Sequence, residues 1–126
     1  MKLFFALFFI IFLSACDSGF GNKLASEKLD VYFDDKKMES YADSLGSFWT
    51  TNNLLGDRKQ SIKLTKSNGV FEVRLIKSKE FLDIAMTDKE SFLLEELRTK
   101  LQVEVFENKK TRIVICDDNF KELTQK

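Results

Sequence analysis

The stretch SIKLTKSNGVFEVRLI, residues 61–76, decides the predicted fold, because two alternating runs of apolar and polar residues flank Asn68-Gly69. Asn and Gly tolerate positive φ angles, so this dipeptide between alternating runs is the strongest short signal for a β-hairpin. A two-residue turn sets Leu64 opposite Val73 and keeps apolar residues on one side of both strands. The stretch therefore predicts a hairpin with one buried face.

The residues before the hairpin predict a strand followed by an amphipathic helix. Leu29, Val31 and Phe33 alternate in the manner of a strand with one buried side. Asp34 and Asp35 follow as candidate helix N-caps. Next come apolar residues with the helical spacing i, i+3, i+4 and i+7. This stripe consists of Met38, Tyr41, Ala42, Leu45, Phe48 and Trp49.

The residues after the hairpin predict the same order of elements. Residues 82–86 alternate and predict another strand. Thr87-Asp-Lys-Glu90 matches a capping box, in which the first and last side chains bond each other's backbone amides at the start of a helix. Val103 and Val105 then predict a closing hairpin whose turn uses residues 108–110.

The two halves of the chain resemble each other. The segment LDVYFDDK, residues 29–36, is similar to LDIAMTDK, residues 82–89. We infer a tandem βαββ repeat over about residues 29–78 and 81–118. Chance similarity between two ordinary strand–helix junctions is the alternative. The predicted fold class is α+β, a two-layer domain with a mainly antiparallel six-stranded sheet and two helices on one face.

The composition argues against several classes of function. The 126 residues include no His, which removes His-based nucleophile activation and His metal ligands. The 20 basic and 20 acidic residues are interspersed, so we expect no nucleic acid partner. Cys116 ends an apolar run beside Asp117 and Asp118, which predicts a passive thiol and turn carboxylates. We therefore expect no enzyme activity, no metal and no cofactor.

The N-terminus has the anatomy of a secretory signal peptide. Lys2 forms a short basic region, and residues 3–13 are an unbroken apolar run. As a helix this run spans about 16 Å, whereas the hydrocarbon core of a bilayer is about 30 Å thick. The run is therefore too short to cross a membrane and suits the apolar region of a signal peptide.

The four residues Leu13-Ser14-Ala15-Cys16 end this signal, and they resemble the lipobox of bacterial lipoproteins at every position. The resemblance covers about the first 17 residues. It implies a diacylglycerol-derived group on the Cys16 thiol, cleavage just before Cys16, and a fatty acyl chain such as palmitate on the new amine. Two alternatives stay open: ordinary cleavage after Ala15, which the bulky Leu13 disfavours, and a fortuitous cysteine.

The lipobox resemblance divides the chain and predicts its location. Residues 1–15 become the signal peptide, residues 16–28 a lipidated tether, and residues 29–126 a single domain. We expect the protein on a cell membrane, held by lipid and facing the periplasm or the cell exterior. Asp17 resembles the enteric signal that retains a lipoprotein on the inner membrane, so we prefer that membrane. Two or three acyl chains anchor firmly, since each buried methylene contributes about 0.8 kcal/mol.

Two surfaces are candidates for binding a protein partner. The sheet face opposite the helices, here called the open face, is predicted to carry Tyr32 and Phe106 among charged residues. It is either an ordinary solvated face or a docking surface for a protein or a second copy, which would give a homodimer. The other candidate is an insertion relative to the second half, residues 49–60. Its candidate contact residues are Trp49, Asn52, Asn53 and Leu54.

These observations lead to two hypotheses of function. The first is a non-enzymatic lipoprotein that binds an unidentified protein partner in the cell envelope. The alternative is an inhibitor or immunity lipoprotein that blocks a toxin or a cell-wall hydrolase, with the segment 49–60 plugging an active site. Trp49 also fits the apolar stripe of the first helix, and we expect it to be buried there.

Overall fold

The Asn68-Gly69 hairpin lies at the centre of the sheet in the computed structural model, which describes residues 21–77 and 86–123. The φ angles of Asn68 and Gly69 are 51° and 80°, as a two-residue turn requires. The five strands run in the order β1-β2-β3-β4-β5 across the sheet. They are β1 (Asn22–Ala25), β2 (Leu29–Phe33), β3 (Gln60–Ser67), β4 (Val70–Ile76) and β5 (Thr111–Cys116).

Two helices complete the α+β fold. Asp35 caps a short 3-10 turn, Lys36–Met38, by accepting a hydrogen bond from the Lys37 amide at 3.0 Å. The turn leads into α1 (Glu39–Thr51), and the second helix, α2, covers Asp88–Glu104. The predicted capping box starts α2, with Thr87 and Glu90 bonded reciprocally.

The sheet is mixed, which corrects the prediction of a mainly antiparallel six-stranded sheet. The hairpin β3–β4 has the predicted register, with Leu64 opposite Val73, and β1–β2 is also antiparallel. The pairs β2–β3 and β4–β5 are parallel. A helix that returns the chain along the sheet brings the next strand in with the same direction, and α1 does this between β2 and β3.

The strand β1 begins within residues 16–28, where we expected a tether. It pairs with β2 at the sheet edge, with Asn22 opposite Phe33. The chain enters this strand at Gly21, whose φ is 92°. A Cβ atom at Gly21 would lie 2.9 Å from the Phe33 carbonyl oxygen, so a side chain does not fit there without a shift.

The predicted closing hairpin at residues 103–115 is wrong. The helix α2 continues through Glu104, and Val105 and Phe106 are buried at its end. Glu107 and Asn108, with φ angles of 55° and 66°, then terminate it. Residues 101–105 fit both helical spacing and strand alternation. The helix forms because it buries Leu101, Val105 and Phe106 in the core.

The tandem repeat is not confirmed. After α2 the described residues contain a single strand, β5, where the repeat required a hairpin. Residues 82–85 of the predicted fourth strand lie outside the described residues, and Met86 belongs to no strand.

One core joins both helices to the sheet. The predicted stripe of α1 is buried at Ala42, Leu45, Phe48 and Trp49, as its spacing indicated. Leu101 of α2 belongs to the same core cluster. Phe106 stacks on Phe71 with ring centroids 4.5 Å apart, and Tyr41 of α1 lies 4.8 Å from Phe71. These rings close the space between the two helices.

The core predicts a contrast between two apolar truncations. Leu45 is fully buried, so Leu45→Ala should lower the free energy of unfolding by about 2–5 kcal/mol through lost burial and a residual cavity. Phe92 is 63% exposed, so Phe92→Ala should change it by less than about 0.5 kcal/mol. Urea unfolding followed by circular dichroism measures both, and equal losses would contradict this account of the core.

Candidate functional site

The open face is not open over β4 and β5, because the chain after β5 folds back across it. Val114, Cys116 and Phe120 are all buried there. The Leu123 amide donates to the Ile115 carbonyl at 2.9 Å, which holds this segment, residues 117–123, against the edge of β5. The chain itself therefore covers the part of this face that β4 and β5 form.

A buried carboxylate, Glu72, organises the charged side chains of this face. Its Oε1 accepts hydrogen bonds from Arg74 Nη2 and Thr65 Oγ1, both at 3.0 Å. Arg112 Nε lies 2.9 Å from Oε2. Because every charged group here has an opposite charge or a donor, the buried cluster avoids the large penalty of an unpaired charge.

The same cluster holds segment 117–123 in place. Arg74 Nη1 donates to the Phe120 carbonyl at 3.0 Å, and Arg112 Nη2 donates to Glu122 Oε1 at 2.9 Å. The Phe120 ring packs edge-on against Tyr32 of β2 at 5.8 Å. The segment is thus fixed by two arginines and one aromatic contact.

The pKa values follow from this geometry. Burial by itself raises the pKa of Glu72, but the hydrogen bonds from Arg74 and Thr65 and the charges of Arg112 and Arg74 outweigh burial and hold the pKa below its ordinary value. Burial raises the pKa of the Cys116 thiol more than the nearby Arg74 lowers it. Cys116 is therefore a protonated, inaccessible thiol at neutral pH, which suits packing and not nucleophilic chemistry.

Asp117 shapes the turn that begins the segment. Its Oδ1 accepts from the amides of Asn119 at 2.9 Å and Lys121 at 3.0 Å. This is the turn role expected for a carboxylate after a strand. Among the residues that the structure describes, no group of three or more His, Cys, Asp or Glu side chains could hold a metal ion.

Two of the candidate residues of segment 49–60, Trp49 and Leu54, are hydrogen-bonded to Gln60. Trp49 is buried, as expected, and its Nε1 donates to Gln60 Oε1 at 3.1 Å. Gln60 Nε2 donates to the Leu54 carbonyl at 3.1 Å, which ties the segment to the end of α1. Asn52 and Asn53 are exposed beside it.

Phe106, predicted on the open face, is fully buried in the core instead. It follows α2 and stacks on Phe71, so it cannot contact a partner directly. Its predicted position is wrong because Val103 and Glu104 continue α2 and do not begin a strand. Tyr32 does lie on the predicted face, where it is half-buried beside Phe120.

A further exposed apolar surface, not predicted from the sequence, lies on α2. Phe92 is 63% exposed, Leu93 52% and Val103 55%. Between α2 and β5 runs a groove of about 710 Å³. Its apolar lining includes Met86, Leu94, Ile113, Ile115 and Leu123. The signal was present, since three consecutive apolar residues from Phe92 to Leu94 make the stripe of α2 too wide for one buried face.

The Glu72 cluster predicts a dependence of stability on acid. Because the pKa of Glu72 is lower in the folded than in the unfolded state, the unfolded chain binds more protons below about pH 5. The stabilisation that ionised Glu72 contributes is complete above the pKa of a glutamate in the unfolded chain, about 4.3. It is lost as the pH falls through the lower pKa of Glu72 in the folded protein. Glu72→Gln should lower the free energy of unfolding by about 1.5–3 kcal/mol at neutral pH. In urea unfolding repeated at several pH values, it should also reduce the loss of stability in acid.

Glu96→Gln is the matched control, because Glu96 is exposed on α2. It should leave the free energy of unfolding at neutral pH and its decrease in acid unchanged. Carboxypeptidase digestion gives a second readout, since acid should release segment 117–123 before the core unfolds. If the free energy of unfolding falls equally with pH in the parent chain and in Glu72→Gln, the proposed role of this carboxylate is contradicted.

Comparison with known proteins places the domain in a family. None of the described residues forms a helix long and apolar enough to span a bilayer. No curated protein and no solved structure matches the chain significantly. One family model, AF_1994_N, described as a family N-terminal domain, matches residues 23–126 and so takes in both helices and the sheet from β1 onward. Because this match covers most of the chain, the protein belongs to the AF_1994_N family.

Proposed function

We propose that this protein is a membrane-anchored bacterial lipoprotein whose small, non-enzymatic domain binds a protein partner in the cell envelope. The observation that carries the anchor is the sequence Leu13-Ser14-Ala15-Cys16 after a short apolar run. This sequence lies outside the range matched by the family, residues 23–126. The proposed anchor and the family domain therefore occupy separate parts of the sequence.

The binding surface is the exposed side of α2 together with the groove beside it. Large exposed apolar side chains that lie close together are typical of interaction sites. Phe92 and Leu93 are adjacent and more than half exposed, and aromatic anchors of this kind contribute strongly to interfaces. A partner that inserts an apolar segment between α2 and β5 would cover these side chains and the groove lining.

The charged residues of the Glu72 cluster are engaged in the fold. Glu72, Arg74 and Arg112 bond to one another and to segment 117–123, so their hydrogen-bonding capacity serves the fold. The inhibitor alternative depended on a projecting segment 49–60, which is bonded back to α1 through Gln60. Partner binding through α2 is therefore the function that we put forward.

The anchor predicts that acylation depends on one thiol. Cys16→Ala should abolish labelling by a fatty-acid probe and remove the diacylglyceryl mass from the protein. Cys116→Ala is the matched control, because it removes the other cysteine and should leave the label in place. Mass spectrometry of the mature chain measures both. An intact Met1, or continued labelling of Cys16→Ala, would refute the anchor.

The binding surface predicts position-dependent crosslinking. A photo-crosslinking residue at Phe92 should trap one defined partner in cells, whereas the same residue at Glu27, exposed in the β1–β2 turn, should not. Leu93→Asp should abolish the adduct without unfolding the domain, because Leu93 is 52% exposed. An adduct containing only a second copy of the chain would show that this surface forms a homodimer and does not bind a different protein. Equal adducts from both positions, or adducts insensitive to Leu93→Asp, would overturn the proposal.

A further inference from the structure

Four segments of the chain meet at one end of the sheet. The ladder places Asn22 of β1 beside Phe33 at the end of β2, and Ile113 near the start of β5 beside Val73 near the start of β4. The same end therefore carries the entry into β1, the β2–α1 connection, the β3–β4 turn and the α2–β5 connection. We call this the tether end, because the chain from Cys16 enters the domain there.

The tether end is rich in exposed lysines. The members are Lys23, Lys36, Lys37, Lys66, Lys109 and Lys110. The carboxylates of the same segments are Asp34, Asp35 and Glu107. Glu39 and Glu104 lie at the adjoining helix ends, and lysine charge still exceeds carboxylate charge when they are included.

The three carboxylates of these segments are already engaged. Asp34 pairs with Lys63 at 3.4 Å, outside the exposed lysine set. Asp35 accepts from the Lys37 amide, which uses the backbone and leaves the ammonium group of Lys37 in solvent. Glu107 accepts from the Tyr41 hydroxyl at 2.8 Å. A carboxylate keeps its charge when it accepts from a neutral donor, so the six exposed lysines exceed the five carboxylates of this end by one charge.

The lysines present their charge outward. Among the described residues, the ammonium groups of Lys36, Lys37 and Lys110 make no hydrogen bond or ion pair. Lys66 lies over the Phe71 ring at 5.0 Å, and Lys109 over the Tyr41 ring at 5.4 Å, where their charge is kept. A hydrogen bond from Lys109 to Tyr41 raises the pKa of this lysine, which stays protonated.

At the opposite end of the sheet, the described residues carry no excess of positive charge. Its exposed basic residues include Lys28, Arg58, Lys59, Lys89 and Lys121. Carboxylates at least balance them, and these are Glu27, Asp57, Asp88, Glu90, Asp117, Asp118 and Glu122. The domain therefore has an electrical polarity along its strands, with the positive end at the entry of the chain.

The length of chain before β1 keeps the positive end close to the lipid. From Cys16 to Gly21 the chain can reach at most about 18 Å, at up to 3.6 Å per residue. The seven-residue β4 separates the two ends of the sheet by roughly 23 Å. Electrostatic attraction to a charged bilayer falls off within about 8–10 Å at physiological salt. A chain of this length lets the tether end approach the lipid within that range, and the opposite end lies farther along the strands.

We propose that the tether end is a membrane-docking surface, whose lysines contact the anionic phospholipid headgroups of the bilayer that holds Cys16. The inference rests on the lipid anchor proposed above. Lysines spread over four segments suit a diffuse layer of phosphates, since each ammonium group acts as a mobile point charge. Docking at this end points the start of α2, with Phe92 and Leu93, away from the membrane and towards a partner.

The test uses the full-length acylated protein in vesicles. One vesicle is phosphatidylcholine alone, and the other is an equal mixture with phosphatidylglycerol. A fluorophore on Ser67→Cys reports the tether end, and one on Glu27→Cys reports the opposite end, while Cys16 is acylated and Cys116 is buried. A headgroup-bound quencher should dim the Ser67 probe more strongly in anionic vesicles and less strongly at high salt, and it should leave the Glu27 probe unaffected.

A pair of charge-matched variants separates docking from net charge. K36E/K37E/K110E should lower the ratio of docked to undocked domain at least fivefold for each lysine replaced. K28E/K89E/K121E makes the same change of charge at the opposite end and should keep the quenching at Ser67. Thermal unfolding of both variants checks the fold.

The two proposals fail in distinguishable ways. Protein without acyl chains in the mass spectrum refutes the anchor and the docking surface together. Acylated protein whose Ser67 and Glu27 probes are quenched equally in both lipids refutes the docking surface alone. So does an equal loss of quenching in the two charge-reversal variants.

Discussion

The alternation of side chains in the β3–β4 hairpin is the constraint on which the rest of this structure depends. The two-residue turn at Asn68-Gly69 pairs Leu64 with Val73, so both point into the core. A slip of one residue would send Glu72 and Arg74 into that core and expose the apolar set, at a prohibitive cost in buried charge. The register also decides which face receives the helices and which face receives the chain after β5.

The polar face shows how a domain of this size accommodates buried charge. Glu72 is almost fully buried, yet both of its oxygens have arginine or threonine donors. The same arginines reach on to Phe120 and Glu122, so one cluster serves both the sheet and segment 117–123. The order of the segment is thus coupled to the ionisation of Glu72, a carboxylate on β4.

The two ends of the sheet differ in charge and in exposed apolar side chains, and this difference gives the proposed function an orientation relative to the membrane. Lysines gather where the chain enters β1, whereas Phe92 and Leu93, two exposed apolar side chains near the start of α2, lie towards the opposite end of the sheet. A short lipidated connection at Cys16 would hold one end at the bilayer and present the other to a partner. Family membership describes the folded part, and the proposed anchor rests only on the resemblance of residues 13–16 to a lipobox.

The sequence by itself determined the elements whose signals are local. Asn68-Gly69 specified a hairpin and its register, Thr87 and Glu90 specified a capped helix start, and the spacing of Leu45 to Trp49 specified a buried stripe. Tertiary structure decided the features that depend on distant partners. Val103 to Phe106 fit a strand or a helix equally by pattern, and the space beside Phe71 selected the helix. The direction of β5, the cover over the polar face and the exposure of Phe92 all follow from packing between segments far apart in the chain, which no local pattern encodes.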